Sequence, residues 1–319
     1  MSRFDPYEHV NVSLNPDGSL TRYMKLPTSP PTGEVPQIPG TPVLSKDVTL
    51  DADKKTWMRI YRPAKLPSND NTVVRLPIIL FFHAGGWIQM SLANTILHEM
   101  SNKISSDVPA ILVAVDFRLA PENRLPAQYE DAIDAVHWVR NQLADSDGDR
   151  WIRDYGDSSR CYLYGSSCGA NIAFNAAMRI HDLNLAPLTV VGIILNQPFF
   201  GGKARTRSEL KQATDQYFPL PVIDTLWELA LPPGTDRDHR FCNPFEDIQV
   251  KEKLKSVGRC LVIGFGGDPL IDRQQKFVQM LVEQGVMVEA RFDDVGFHGI
   301  DMIDTRRANA IVNFIKEFV

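Results

Sequence analysis

The clearest chemical signal in the sequence is a serine placed between two glycines. The residues GSSCG at 165–169 follow the strand-like segment Cys161–Tyr164 and open the Ala-rich helical segment Gly169–Ile180. A sharp turn from strand to helix strains its central residue, and glycines two positions away on either side remove Cβ atoms that would collide there. We therefore predict that Ser167 is a nucleophile exposed at a helix N-terminus, whose dipole favours a developing anion. Ser166 is the alternative, but it lacks the symmetric glycines.

A base for this hydroxyl is predicted near the C-terminus. A serine at its free pKa is a weak nucleophile and needs a base, which is usually a histidine oriented by a carboxylate. Of the seven histidines, His298 lies in the sequence GFHG at 296–299, between the last predicted strand and the C-terminal helix. This position fits the chain order serine, acid, histidine. We expect the other histidines to be structural.

The acid that orients the histidine should follow a strand and precede His298. Asp268 does so in the sequence GGDPLID at 266–272, where the next residue is a proline that favours a loop or a helix start. Asp272, one helical turn later, is better explained as a helix cap or an ion-pair partner. The aspartates at 293–294 lie too close to the histidine in sequence to be preferred. We therefore predict Asp268 as the orienting acid.

A pair of glycines offers a site for an oxyanion. The residues FFHAGGW at 81–87 follow the most apolar strand-like run in the N-terminal half. At such a strand-to-loop turn, the backbone N–H groups of Gly85 and Gly86 can converge on an anion. Taken alone, the pair is equally compatible with a flexible turn. His83, at the strand end, is expected to fix this loop by hydrogen bonding rather than to act as a base.

Five motifs together resemble those of the hormone-sensitive-lipase-like α/β-hydrolases. The match runs from about residue 45 to residue 319, and the motifs occur in the order of that family. The residues LNPDGSLTR at 14–22 further resemble plant carboxylesterases of this class. The five segments are HAGGW at 83–87 (HGGGF or HGGGW in the family), FRLAPE at 117–122 (YRLAPE), GSSCG at 165–169 (GDSAG), DPLID at 268–272 and FH at 297–298.

The resemblance implies an α/β-hydrolase fold and a role for each matching residue. Ser167 would be the nucleophile, His298 its base and Asp268 the acid that orients the base. The water-activating step would use the same histidine. The implied oxyanion hole consists of the backbone amides of Gly85, Gly86 and Cys168.

Three positions depart from the family pattern. Ala84 replaces the first glycine of the HGGG trio, but the amides usually credited with oxyanion binding belong to the second and third. Ser166 and Cys168 stand where the family has Asp and Ala. Both replacements are tolerable, because the residue after the nucleophile contributes its backbone N–H. We expect the Cys168 thiol itself to be buried and inert.

The resemblance also implies hydrolysis of carboxylic esters through an acyl-enzyme, with no metal or organic cofactor. Related plant esterases remove short acyl groups, often acetyl, from bulky alcohols. An O-acetylated specialised metabolite such as an alkaloid, or a volatile acetate, is therefore the expected substrate. The alternatives are a non-catalytic or slow hormone receptor of the gibberellin-receptor type and an alkaloid cyclase. Both tend to lose triad members, whereas this chain retains Ser167, Asp268 and His298.

The elements that must position these residues are predicted to be alternating strands and helices. Such alternation implies crossover connections and a mostly parallel central sheet flanked by helices. The predicted strands are Lys46–Leu50, Trp57–Tyr61, Pro77–Phe82, Ala110–Val115, Cys161–Tyr164, Val190–Leu195, Cys260–Gly264 and Val286–Phe292. The predicted helices are Ala127–Leu143, Gly169–Ile180, Val222–Ala230, Arg273–Gln284 and Arg306–Phe318.

Residues 1–319 are predicted to form a single domain. Two segments of it interrupt the alternation of strands and helices. Residues 1–45 are rich in Pro and Gly and predict an irregular arm, and residues from about 200 to 240 predict an insertion. We expect the arm and the insertion to form a helical cap over the carboxyl ends of the strands. The aromatic residues predicted to wall the substrate pocket, each equally compatible with the core, are Trp87, Phe199, Phe200, Phe218 and Trp227.

Composition and charge exclude several classes of protein. The 319 residues are 44% hydrophobic and 23% charged, which is typical of globular proteins. A net charge of −5 with scattered Lys and Arg argues against nucleic-acid binding. No apolar run is long enough to span a bilayer, the four cysteines lack zinc spacing, and the first ten residues lack a signal-peptide pattern. We therefore expect a cytoplasmic monomer or homodimer that acts on a small-molecule ester and has no nucleic-acid, membrane or metal partner.

Overall fold

The strands of the protein form one large sheet and two short antiparallel pairs. The computed structural model describes residues 4–69, 72–254 and 257–319. Within these residues the strands are β1 (Val12–Leu14), β2 (Leu20–Arg22), β3 (Val43–Asp51), β4 (Thr56–Pro63), β5 (Ser68–Asn69), β6 (Thr72–Val73), β7 (Leu76–Phe82), β8 (Ile111–Asp116), β9 (Gly156–Ser166), β10 (Val190–Asn196), β11 (Arg259–Phe265) and β12 (Met287–Asp293).

The large sheet is mostly parallel. Its strand order is β12-β11-β10-β9-β7-β8-β4-β3. Neighbouring strands from β12 to β8 run parallel, whereas β4 pairs antiparallel with both β8 and β3. Parallel neighbours need crossover connections, which the helices between these strands supply. The prediction of a mostly parallel α/β sheet is confirmed.

Strand β7 lies in the middle of the sheet and is buried along its whole length. Side chains alternate between the two faces of a strand. Ile78, Leu80 and Phe82 accordingly belong to the hydrophobic core on one face, and Ile79 and Phe81 belong to the core on the other. A continuous apolar run is therefore required here, because helices cover both faces of the sheet.

Helices α3, α5 and α9 cover one face of the sheet, and α2 and α10 cover the other. The crossover helices that were predicted are found within a few residues of their predicted ends. In the described residues, the helices are α1 (Pro6–His9), α2 (Thr95–Asp107), α3 (Ala127–Ala144), α4 (Arg150–Tyr155), α5 (Cys168–Ile180), α6 (Arg207–Lys211), α7 (Leu220–Ala230), α8 (Ile248–Leu254), α9 (Ile271–Glu283) and α10 (Thr305–Phe318).

The sequence pattern does not predict helix α2, because the buried face of this helix is largely polar. His98, Ser101 and Ser105 are buried on the same face as Leu97 and Ile104. These polar side chains interrupt the 3.6-residue apolar pattern by which a helix is recognised in sequence. The missed helix matters for the site, because Ile96 of α2 lines a cavity beside Ser167.

The arm and the insertion pack against each other. The arm contains α1 and the β1–β2 hairpin, and α1 contacts α7 of the insertion. His9 Nε2 lies 3.3 Å from the carbonyl oxygen of Tyr217. Residues 1–3 of the predicted arm and residues 255–256 lie outside the described residues. Among the helices of the described residues, none has the length and apolar character needed to cross a membrane.

Candidate active site

The turn from β9 to α5 holds Ser167 in a strained conformation. Its φ of 56° and ψ of −119° lie in a region that side-chain-bearing residues rarely adopt. A Cβ at position 165 would lie 2.0 Å from the carbonyl oxygen of Gly169, and a Cβ at position 169 would lie 2.0 Å from the carbonyl oxygen of Phe82. Both positions must be glycine because the backbone passes too close to them for a side chain to fit. This requirement explains the two glycines of the GSSCG pattern.

Ser167, His298 and Asp268 form a continuous hydrogen-bonded chain. Ser167 Oγ lies 2.8 Å from His298 Nε2, and His298 Nδ1 lies 2.8 Å from Asp268 Oδ2. Asp268 is fully buried, and the His298 side chain is 8% exposed. An ionised carboxylate can only accept, so Nδ1 of His298 carries the proton that it donates to Asp268. Nε2 is then free to accept the proton of the Ser167 hydroxyl.

Two further donors hold the Asp268 carboxylate in place. The backbone N–H of Leu270 donates to Oδ1 at 2.8 Å, and Gln274 Nε2 donates to Oδ2 at 2.8 Å. Oδ1 therefore accepts from the Leu270 amide, and Oδ2 accepts from Gln274 as well as from His298. A buried carboxylate satisfied by several donors keeps a single orientation, and this fixes the histidine ring that binds it.

The loop after β7 brings Gly85 and Gly86 to the same cavity as Ser167. Their φ values of 123° and 61° lie where side-chain-bearing residues are strained. A Cβ on Gly85 would also lie 2.2 Å from the carbonyl oxygen of Gln89. Cys168 is the first residue of α5, so its amide is one of those that no helical carbonyl can reach. These are the three amides that the sequence predicted for an oxyanion.

The surroundings of the neighbouring His83 and of the Cys168 thiol indicate structural roles for both side chains. His83 is fully buried, its ring stacks on Phe117, and its Nδ1 lies 2.6 Å from the carbonyl oxygen of Ala84. Burial lowers the pKa of His83, which favours the neutral ring. Burial raises the pKa of Cys168 to about 12, and its Sγ contacts the carbonyl oxygen of His83 at 3.6 Å. Neither side chain lines the cavity at Ser167.

The cavity at Ser167 has a volume of about 380 Å³ and is lined mostly by apolar groups. Val10 of the arm and Tyr217, Phe218, Val222 and Leu226 of the insertion contribute to its wall. Both predicted cap segments therefore reach the site. The β7 loop and the segment after His298 complete the wall.

Of the five aromatic residues predicted as pocket walls, Phe218 alone lines this cavity. Trp87, Phe199 and Trp227 are fully buried and pack together, with ring centroids 4.5–5.1 Å apart. Phe200 is also fully buried and stacks on Phe277 in the core. The prediction is corrected for these four residues: they are buried in the core and do not line the cavity. Phe218 stacks on the His298 ring at 4.4 Å.

Two polar residues near the site were not found from the sequence. Gln197 follows β10 with a φ of 49°, lines the cavity, and accepts a hydrogen bond from the N–H of Gly299. Asp301 accepts hydrogen bonds from the side chains of Gln197 and Asn196 at 2.9 Å each. A usable signal was the Asn-Gln pair at the carboxyl end of a parallel strand, where α/β proteins collect functional residues.

In the described part of the chain, no group of three or more His, Cys, Asp or Glu side chains is arranged to hold a metal ion. The site at Ser167 therefore consists of a hydroxyl, an imidazole, a carboxylate and backbone amides. Such a set can transfer an acyl group through a covalent intermediate.

The sequence is similar to several proteins of known family. Residues 79–302 match the family described as alpha/beta hydrolase fold. Probable carboxylesterase 9 of Arabidopsis thaliana is 51% identical over 317 residues, which cover 99% of this chain and 97% of the relative. The 3-O-acetylpapaveroxine carboxylesterase CXE2 of Papaver somniferum is 42% identical over 321 residues, covering 99% of both chains. The gibberellin receptor GID1C of Arabidopsis thaliana is 31% identical over 308 residues, covering 90% of this chain and 84% of the receptor.

Solved structures resemble the fold at lower sequence identity. An esterase from Pyrobaculum calidifontis superposes with a TM-score of 0.71 at 23% identity, covering 86% of this chain and 85% of the esterase. At this identity the likeness concerns the fold alone.

Proposed function

The chain belongs to the alpha/beta hydrolase fold family and is a serine carboxylesterase of the plant type, and from this premise we propose that it removes short acyl groups, chiefly acetyl, from a bulky specialised metabolite. The observation that carries the proposal is the chain of two 2.8 Å contacts that joins Ser167 to His298 and His298 to Asp268. This arrangement supplies a nucleophile, its base and the orientation of the base.

In the proposed mechanism, His298 removes the hydroxyl proton as Ser167 Oγ attacks the ester carbonyl. Asp268 holds the Nδ1–H tautomer and stabilises the imidazolium that forms. His298 then gives the proton to the leaving alcohol, and an acyl-enzyme remains. A water molecule, deprotonated by the same histidine, attacks the acyl-enzyme and releases the acid.

The tetrahedral intermediates carry a negative charge on the former carbonyl oxygen. We assign its stabilisation to the amides of Gly85, Gly86 and Cys168, supplemented by the N-terminal dipole of α5. Such donors accelerate the reaction because they bind the developing anion more strongly than the neutral carbonyl of the ground state. The absence of a side chain at both glycines lets the backbone approach the substrate closely.

The comparison with a known relative supports a short acyl group and a bulky alcohol. A relative that is 42% identical over nearly the whole chain has a name that specifies an acetylated substrate. In the proposed arrangement, residues 4–45 and the insertion act as the cap that covers the cavity at Ser167.

Compartment and assembly are part of the same proposal. All four cysteines are free and buried, which suits a reducing compartment such as the cytosol. We propose that the enzyme works there as a monomer or a homodimer, with no nucleic-acid or membrane partner.

A hormone receptor is the second candidate function, since a gibberellin receptor is 31% identical to this chain. Four carboxylesterases resemble the chain more closely, at 41–51% identity. His298 is in hydrogen-bond contact with Ser167, which favours turnover over binding alone.

Steady-state hydrolysis of p-nitrophenyl acetate, butyrate and octanoate tests the proposal. We expect turnover to fall with acyl length, and Ser167→Ala and His298→Ala to reduce it by at least a thousandfold. Ser146→Ala and His181→Ala are the matched controls, because both side chains are exposed and neither lines the cavity at Ser167. Full activity in Ser167→Ala would refute the mechanism. No turnover in the wild type would favour the receptor.

A further inference from the structure

A second cavity lies beside the Ser167 cavity, between α2 and α10. Its volume is about 200 Å³. The two cavities adjoin, because both are lined by Ala84, Ile96, Ser166, Met302 and Ile303. A substrate whose ester reaches Ser167 can therefore extend its alcohol part into the second cavity.

The second cavity contains a carboxylate that the proposed mechanism does not use. Asp301 lines it, and its two oxygens accept hydrogen bonds from the neutral amides of Asn196 and Gln197 at 2.9 Å. Within the described residues, no Lys or Arg forms an ion pair with Asp301. Burial raises the pKa of Asp301, although the hydrogen bonds from Asn196 and Gln197 and the electrostatic effect of His298 act to lower it.

The buried carboxylates of the described residues are paired with cations or with the active-site histidine, whereas Asp301 is half-buried. Asp131 accepts from Arg118, Glu209 accepts from Arg273, and Asp268 accepts from His298. Asp301 differs from them in that its described hydrogen-bond donors are neutral amides, although His298 also acts on its charge. A carboxylate at the wall of a cavity contributes a large part of the electrostatic field that a bound ligand experiences.

The remaining charged groups among the described lining residues of the cavity are a second carboxylate and a lysine that already has a carboxylate partner. Glu99 also lines it, and Lys103, the single cation among its described lining residues, forms an ion pair of 2.7 Å with Asp107. Met100 and the ring of Tyr164 contribute polarisable walls to the same cavity. An acidic cavity with apolar and aromatic walls suits an organic cation, whose carbon atoms are buried while its charge is compensated.

We propose that this cavity binds a cationic amine in the alcohol part of the substrate, with Asp301 as the counter-ion. The enzyme would then select esters of amino alcohols over uncharged esters of the same shape. This inference rests on the proposed esterase function and adds to it the chemical class of the alcohol. Specificity arises because no Lys or Arg of the described residues pairs with this carboxylate, so that the amine of the substrate can do so.

Acetylcholine and its uncharged isostere, in which carbon replaces the nitrogen, test the inference because they differ in charge and not in shape. We expect wild-type kcat/KM to be about tenfold or more higher for acetylcholine. Asp301→Asn should bring the ratio close to one. Asp294→Asn, which removes an exposed carboxylate elsewhere on the surface, should leave the ratio unchanged.

A second variant keeps the test decisive if Asp301→Asn fails to fold. Ile303 is 66% exposed and lines the cavity, so Ile303→Lys places a competing cation there without disturbing the core. It should also lower the ratio. A wild type that prefers the uncharged ester, or an Asp301→Asn variant that keeps the wild-type ratio, overturns the inference.

Hydrolysis of p-nitrophenyl acetate separates this inference from the function on which it rests. A wild type that cleaves p-nitrophenyl acetate but shows no preference for acetylcholine retains the esterase function and loses the amine site. A wild type that cleaves none of the three esters refutes the esterase function itself.

Discussion

Gln197 accepts a hydrogen bond of 2.8 Å through Oε1 from the backbone N–H of Gly299. Because Gly299 follows His298 directly, this contact ties the histidine loop to the carboxyl end of β10. Asp268 holds the imidazole ring of the same histidine from the other side. The position of His298 is therefore set both through its ring and through its backbone.

Replacing Gln197 by Leu should lower kcat about tenfold and change KM little, because the loop loses its anchor while the substrate cavity keeps its volume. The measurement is steady-state hydrolysis of p-nitrophenyl acetate. Gln279→Leu is the control, since Gln279 is exposed on α9 and its side chain contacts only the surface residue Glu283 in the described hydrogen bonds. A rise in KM at constant kcat would instead identify Gln197 as a substrate-binding residue.

A second anchor joins the arm to the body of the enzyme. Arg22 donates to both carboxylate oxygens of Glu122 at 2.7 and 2.9 Å, and to the carbonyl oxygens of Ile88 and Ala120. Although burial acts to raise it, hydrogen bonds from Arg22 and from the Leu20 amide bring the pKa of Glu122 below its ordinary value. The arm is thereby fixed next to the loop that carries Gly85 and Gly86.

The stabilisation from this anchor should depend on pH. A lowered folded-state pKa means that the contribution is fully present above the ordinary glutamate pKa, about 4.3, and is lost as the pH falls through the folded value. A double-mutant cycle of Arg22→Gln and Glu122→Gln, measured by chemical unfolding, should give a coupling of about 1–2 kcal/mol at pH 7 and less at pH 4. Equal coupling at both pH values would contradict this assignment.

The residues that meet at Ser167 could be predicted because each lies in a short local motif. A glycine on either side of Ser167 and the histidine after the last strand are visible without any knowledge of packing. The role of Gln197 was not visible, because its partner Gly299 lies 102 positions away in sequence. Only the meeting of β10 with the segment after β12 brings them together.

The aromatic residues show a second limit of sequence reasoning. Trp227 and Phe218 both belong to the insertion, yet Trp227 is fully buried while Phe218 faces the cavity and stacks on His298. An apolar side chain can satisfy its hydrophobicity either in a core or in a substrate cavity. The choice depends on the path of the surrounding backbone, which the residue type does not determine.

The four cysteines should be unreactive in the folded enzyme. All are buried, and burial raises the pKa of each thiol, that of Cys168 to about 12. Because the thiolate is the reactive form, we expect less than about one thiol per chain to react with a disulfide reagent at pH 8, and all four after unfolding. Activity should survive the native treatment. Rapid inactivation with modification of Cys168 would show that the turn from β9 to α5 is open to solvent.

Asp268→Asn should lower kcat by roughly a thousand- to ten-thousandfold, because it forces the wrong histidine tautomer. The N–H of Leu270 points at Oδ1, so the asparagine oxygen must remain there and its NH₂ must face His298. Gln274 can accept the second amide proton by turning its own side chain, since its Oε1 has no hydrogen-bond partner in the described structure. His298 would then accept at Nδ1 and carry its proton on Nε2, where it cannot remove the proton of Ser167.

The control for this variant is Asp272→Asn, at the aspartate one helical turn further along the chain. Its carboxylate accepts from the backbone N–H of Ser208 and has no contact with His298 among the described hydrogen bonds. Single-turnover acylation by p-nitrophenyl acetate isolates the step in which Nε2 must act as a base. We expect acylation to fail in Asp268→Asn and to stay within about threefold of the wild type in Asp272→Asn. The reverse result would transfer the role of orienting acid to Asp272, and near-normal acylation in both variants would mean that the histidine keeps its tautomer without a carboxylate.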